Sequence, residues 1–205
     1  MSSGRAVYRY FQAILICLVA FLCAASAKND ASTTQEPITV PKPSPEMERL
    51  KKFYLGSWDF TETYEKTTFS PQGGGDTGVY TSELGPGGNS IVNRFHSHGA
   101  VGDFEGLLVM TWDAKENAYK AYVFGNEFRG CIVQTGQFEG DVLRFSSEFS
   151  AEGMKLKLRN VTRVSGPGKI ASEEYITAES SPETLLVRVE AKKRPLPRNG
   201  RKGQR

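Results

Sequence analysis

Residues 130–149 read GCIVQTGQFEGDVLRFSSEF, and this stretch decides the fold class. In its second half the apolar residues Leu143, Phe145 and Phe149 are separated by other residues with a period of two, which is the pattern of a strand with one buried face. The dipeptide at residues 139–140, Glu-Gly, separates the two halves and is a signal for a tight turn. The stretch therefore predicts a β-hairpin.

The same pattern recurs along most of the chain. Segments rich in Gly, Pro, Asn and Asp interrupt alternating runs at intervals of about 8–12 residues. We expect about ten strands, at residues 57–66, 77–84, 89–98, 104–113, 118–125, 130–138, 141–149, 154–164, 169–178 and 184–193. Connections this short leave no room for crossover helices, which excludes a parallel sheet. The sequence therefore predicts an all-β, antiparallel up-and-down barrel, because closure removes the exposed sheet edges.

A short helix is predicted immediately before the first strand. Pro45 suits the first turn of a helix, and acidic residues follow it. Met47, Leu50 and Phe53 then fall on one helical face, and Gly56 ends the pattern. The helix is therefore expected to pack its apolar face against the barrel.

The two ends of the chain differ from the barrel domain, which we expect to span residues 46–193. Two arginines precede a short apolar run and small residues that end at Ala27, so residues 1–27 match a cleavable secretory signal peptide. The protein is therefore expected to be exported, periplasmic or secreted, and a retained membrane anchor is the alternative. Residues 28–45 predict a Pro-rich disordered linker, and residues 194–205 predict a basic disordered tail.

Removal of the signal peptide changes the cysteine content and the charge of the protein. Cys17 and Cys23 leave with it, so the mature chain forms no internal disulfide, and Cys131 is expected to be a small core residue. The formal charge of +3 comes from the ends of the chain, so the barrel itself is mildly acidic. The basic tail could contact an anionic cell envelope, but it lacks interleaved aromatic residues, so no nucleic-acid partner is expected.

Two motifs carry a resemblance to known families. Residues 55–58, LGSW, resemble the Gly-x-Trp opening of calycin-type barrels, the lipocalin and fatty-acid-binding-protein class, in which the Trp closes one end of the barrel. A motif of the bacterial domain of unknown function 1579 resembles residues 104–113, FEGLLVMTWD, and 117–122, NAYKAY. In that family the strand before this motif often carries an Arg-Phe pair, as Arg94-Phe95 does here. The resemblance implies a lipocalin-like barrel over nearly the whole domain and implies no activity.

The inner face of the barrel is the predicted binding site. Alternation places a few polar side chains among apolar ones, which is how small-molecule pockets are built. We predict that the barrel binds a small, partly apolar molecule, oriented by Glu174 with Arg94 as its partner. The alternative is that Glu174 faces solvent and the barrel is packed, because a register error of one residue reverses every side chain. The predicted ligand-binding residues are Trp58, Arg94, Ser147, Asn160, Ser172 and Glu174.

A His-x-His sequence gives a second hypothesis. His96 and His98 share one face of a predicted strand, and two imidazoles with a carboxylate such as Asp103 or Glu105 could hold zinc or iron in a metal-assisted enzyme. No other catalytic motif is visible, so we expect no enzyme. Nitrobindin-like barrels ligate haem through a His near the C-terminal end of the domain, and no histidine follows His98. We therefore expect no cofactor, and a structural or envelope-interaction domain without a ligand is the third hypothesis.

Overall fold

The chain forms an antiparallel β-barrel in a computed structural model that describes residues 41–195 except 101, 127, 152 and 180. The predicted signal peptide, most of the predicted linker and most of the basic tail lie outside these residues. The elements are helix α1 (Pro45–Tyr54) and strands β1 (Gly56–Tyr64), β2 (Gly74–Leu84), β3 (Ser90–Gly99), β4 (Asp103–Asp113), β5 (Ala118–Gly125), β6 (Ile132–Glu139), β7 (Val142–Ala151), β8 (Met154–Gly166), β9 (Lys169–Ala178) and β10 (Thr184–Lys193).

Each strand pairs with its neighbours in sequence, and β1 also pairs with β10, which closes the barrel. All the pairings are antiparallel, from β1 with β2 through to β9 with β10. The predicted all-β, up-and-down barrel of about ten strands with a short helix before it is therefore confirmed.

Helix α1 has a defined start and a buried face. The Ser44 hydroxyl caps the helix by accepting a hydrogen bond from the Met47 amide at 3.3 Å, and Pro45 occupies the first turn. Met47, Leu50 and Phe53 are buried, as the helical period predicts. No helix among the described residues is long and apolar enough to cross a membrane.

Helix α1 covers one end of the barrel, which we call the helix end. Met47 and Leu50 pack against residues at the adjoining ends of several strands: Ile91, Met110, Tyr119, Ala121, Leu143 and Phe145. A separate apolar cluster occupies the opposite end of β7 to β10, which we call the far end; it contains Phe149, Leu156, Leu158, Ile176 and Leu186. The space between these clusters is where an internal site would lie.

Cys131 does not belong to the core. It is exposed, and it lies just before β6 with its Sγ atom 3.6 Å from the Ile132 carbonyl oxygen. The prediction of a core cysteine was therefore wrong, because Cys131 precedes the strand and shares the outward side with Val133, which is itself exposed.

Gly106 makes room for an aromatic ring on the inner face. It lies directly opposite Phe95, and a Cβ atom added at Gly106 would come within 2.1 Å of that ring. We expect Gly106→Ala to lower the free energy of unfolding by about 1–3 kcal/mol, because the ring must shift in a packed interior. Urea denaturation measures this loss. Glu105→Ala, at the exposed outward neighbour, should change stability by less than about 0.5 kcal/mol. Equal stability of the two variants would contradict the packing described.

Candidate functional site

A group of polar side chains lies on the inner face of the barrel, and we call it the inner polar cluster. It comprises Glu62 and Tyr64 of β1, Asp76 of β2, Asn160 of β8 and Glu174 of β9. Alternation along each strand fixes their direction, since the residues on either side of them in the strand face outward.

The strand register brings the members of the cluster together. Glu62 lies directly opposite Asp76, and Glu174 lies directly opposite Asn160. Across β10, Val187 pairs with both Tyr64 and Glu174, which places these two side chains on the same level of the barrel wall. The cluster therefore spans residues that are more than 100 positions apart in sequence, and only barrel closure unites them.

Hydrogen bonds orient the polar side chains on β8 and β9. Thr162 donates to the Asn160 side-chain oxygen at 2.7 Å, and its hydroxyl lies 2.8 Å from that of Ser172. The Asn160 amide in turn hydrogen-bonds the Glu174 carboxyl. On β1, the Tyr64 hydroxyl donates to Glu62 at 3.0 Å. The Glu174 carboxyl is therefore held by an amide that is itself fixed.

The pKa of Glu174 is raised to about 7. Burial is the main cause, the negative charge of Glu62 adds to it, and the hydrogen bond from Asn160 opposes both. Burial and the charge of Glu62 also raise the pKa of Tyr64, so its hydroxyl stays protonated at physiological pH. Near neutral pH, the Glu174 carboxyl group is therefore present in both its protonated and its deprotonated form, so it can donate or accept a proton.

Glu174 is surrounded by protein and yet keeps accessible surface. Glu62, Asn160 and Ser172 likewise keep part of their surface although they face inward. Space inside the barrel beside the inner polar cluster would give these inward-facing side chains such exposure. At the far end, a surface groove of about 470 Å³ lies along β7, β8 and β9. Phe149 and Leu156 line it together with outward-facing residues of the same strands: Glu148, Ser150, Lys155, Lys157 and Thr177.

Ser147 is a buried polar residue with an unpaired hydroxyl beside the cluster. It is 7% exposed, it faces inward from β7, and its Oγ atom has no hydrogen-bond partner. Ser147 pairs with Leu158, which places it diagonally next to Asn160 on the same face. Buried polar atoms without partners are rare and costly, so Ser147 is a position that a ligand can satisfy.

The predicted ligand-binding residues lie in different parts of the barrel. Ser147, Asn160, Ser172 and Glu174 all face inward around the same region. Trp58 also faces inward, but at the helix end, where its indole N–H donates to the Tyr54 carbonyl oxygen at 2.9 Å and its ring stacks on Tyr80. It helps to close that end and is distant from Glu174 along the barrel.

Arg94 does not partner Glu174. It is exposed on the outer face of β3, because its neighbours Asn93 and Phe95 take the inward positions. The predicted orienting pair was therefore wrong. The residues that surround Glu174 instead include Glu62, Tyr64 and Asp76, which the sequence analysis did not select. Continuing the alternation of Trp58 and Phe60 along β1 gives Glu62 and Tyr64 as the next two inward positions.

The two histidines lie on the outside of the barrel. His96 and His98 are exposed, Glu105 lies opposite His96 on β4, and the His98 Nδ1 atom contacts the Asp103 carboxylate. Within the described part of the chain, no group of three or more His, Cys, Asp or Glu side chains could hold a metal ion. The structure thus brings His96 together with Glu105 and His98 together with Asp103. Among the described residues, no third metal ligand joins either pair.

Comparison with known proteins supports the fold class. No family model matches the chain, so membership of domain of unknown function 1579 is not confirmed, and no curated protein matches it either. The crystal structure of Rv2717c from M. tuberculosis is 12% identical, with a TM-score of 0.56, and the match covers 75% of this chain and 100% of that one. The S-type phycobiliprotein lyase CPES from Guillardia theta is 11% identical, with a TM-score of 0.45 and coverage of 70% and 89%.

The closed barrel, its helix and the likeness to Rv2717c define a calycin-like fold. At 12% identity, that likeness extends to the fold alone. A shared fold does not fix a function, which depends on the residues of the site.

Proposed function

We propose that this protein binds a small, partly apolar molecule inside its barrel. The observation that carries the proposal is the unpaired Ser147 hydroxyl, buried beside the hydrogen-bonded pair of Asn160 and Glu174. Leaving such a group unpaired costs about 1–3 kcal/mol, so a ligand that hydrogen-bonds the Ser147 hydroxyl would recover this energy.

The surroundings of the polar residues favour a ligand with an apolar body. Leu158 and Ile176 form the next cross-strand pair beyond Asn160 and Glu174, towards the far end. They belong to the apolar cluster that continues to Phe149 and Leu156 at the far end. A few fixed polar groups followed by an apolar wall is the usual composition of a small-molecule site.

We further propose that the protein acts outside the cytoplasm, on the basis of the signal-peptide pattern in residues 1–27. Binding in the interior, with no catalytic step assigned, is the role that the arrangement supports best. Contact of the basic C-terminal residues with an anionic envelope is compatible with this role and does not depend on it.

Ser147→Phe is expected to weaken ligand binding at least about tenfold, because its ring would occupy space beside Asn160. The probe is N-phenyl-1-naphthylamine, a neutral fluorophore whose emission rises in apolar sites, titrated into the purified protein. Ser146→Phe is the matched control, since Ser146 is the exposed outward neighbour on the same strand. Native mass spectrometry of the unmodified protein should also show a co-purified small molecule.

Two results would overturn the proposed function. One is that the unmodified protein binds no fluorophore and carries no co-purified molecule. The other is that Ser147→Phe and Ser146→Phe bind the fluorophore equally well. Circular dichroism confirms that each variant is folded, and Ser172→Phe provides a second blocking variant if Ser147→Phe does not fold.

A further inference from the structure

We infer that the ligand is an amphiphilic amine whose ammonium group pairs with the Glu174 carboxylate, next to the negative charge of Glu62, while its apolar body points towards the far end. This inference rests on the proposed function and names the chemical class that the inner polar cluster would select.

The charges around Glu174 are the first argument. The titratable groups nearest to it are Glu62, whose charge acts on it, and Tyr64, on which Glu174, Glu62 and Asp76 all act. The residues paired with it on β8 and β10, Asn160 and Val187, are uncharged. Among the described residues, the charge that acts on the Glu174 carboxyl is negative, so a cation is favoured there and an anion is opposed.

The supply of hydrogen-bond acceptors is the second argument. The Asn160 amide and the Thr162 hydroxyl already donate within the protein. The Glu174 carboxyl and the unpaired Ser147 Oγ lie on the same inner face. An ammonium group carries three donors and no acceptor, so it can pair with the carboxylate and also donate to the Ser147 oxygen.

The position of the apolar cluster is the third argument. The next inward positions towards the far end are Leu158 on β8 and Ile176 on β9, and Leu186 joins them from β10. A molecule with its charged end at Glu174 therefore has an apolar wall beside it in the direction of the far end. An alkyl or aryl chain attached to the amine would be buried along this wall.

Binding should release protons at neutral pH. Near pH 7, Glu174 is protonated in part of the molecules. When the ammonium group binds, the O–H bond of that carboxylic acid breaks and its proton passes to solvent, while the ammonium keeps its three protons. The number of protons released is below one per ligand and falls towards zero as the pH rises above the pKa of Glu174.

Isothermal titration calorimetry with octylamine, octanol and octanoate tests the inference, because the three probes share one chain and differ in the headgroup. At pH 7 we expect octylamine to bind at least about tenfold more tightly than octanol, and octanoate to bind more weakly still. The enthalpy of octylamine binding should differ between phosphate and Tris buffers, which reports the released proton. Glu174→Gln should remove that buffer difference and most of the preference for the amine.

Glu173→Gln is the matched control, since Glu173 is the outward neighbour of Glu174 and pairs with Arg163. It should leave the amine preference and the buffer difference intact. If octanol binds as tightly as octylamine, or if none of the three probes binds, the amine inference is wrong. Binding of the neutral naphthylamine fluorophore would still uphold the proposed function in either case. Glu62→Gln serves as a second variant if Glu174→Gln does not fold.

Discussion

Glu174→Gln is expected to raise the free energy of unfolding by about 3 kcal/mol above about pH 8 and to change it little below about pH 4. The pKa of Glu174 is about 7 in the folded protein, against an ordinary value of 4.5. Between these values the unfolded chain has lost the proton and the folded chain keeps it, so stability falls as the pH rises from about 4.5 to about 7. Glutamine is neutral throughout and does not incur this loss.

Urea denaturation of both proteins across this pH range measures the effect. Glu173→Gln is the control and should behave in the opposite sense. The hydrogen bond from Arg163 lowers the pKa of Glu173, so its carboxylate stabilises the fold at high pH and loses that contribution as the pH falls. A difference between Glu174→Gln and the unmodified protein that does not vary with pH would show that Glu174 is not a buried acid.

Leu50→Ala is expected to lower the free energy of unfolding by about 2–5 kcal/mol. Leu50 is fully buried, and it packs with Met47 into the cluster that includes Ile91, Met110 and Leu143. Removing its side chain leaves a cavity between helix α1 and the barrel wall, which the strands cannot collapse to fill because their hydrogen bonds fix them.

Thermal and urea unfolding of Leu50→Ala should be compared with those of Lys52→Ala, which removes an exposed side chain from the same helix. Lys52→Ala should lie within about 0.5 kcal/mol of the unmodified protein. A loss below about 1 kcal/mol for Leu50→Ala would mean that helix α1 does not close the barrel as described.

The barrel itself could be predicted from the chain because its signals are local. The alternation in residues 130–149 and the Glu139-Gly140 turn led directly to β6 and β7. The same alternation placed Ser147, Asn160 and Glu174 on inward faces. A period of two with tight turns leaves few other structures open to a chain of this length.

The composition of the site depended on features that local pattern does not encode. Glu62 and Glu174 interact only because the first and last strands close the barrel. A β-bulge between Leu185 and Val187 shifts the register of β10, so Leu186 enters the interior instead of Leu185, which strict alternation would select. Arg94 was chosen for its charge, and the register of β3 places it outside. Long-range pairing and bulges therefore decided the parts of the site that the sequence analysis missed.

The crystal structure of the protein bound to octylamine is the most direct test of the proposed internal site. We expect the ammonium nitrogen within hydrogen-bond distance of a Glu174 carboxylate oxygen, near the Ser147 hydroxyl, with the alkyl chain along Leu158 and Ile176. Octylamine bound only on the outer surface, with side chains filling the space beside Asn160, would contradict it.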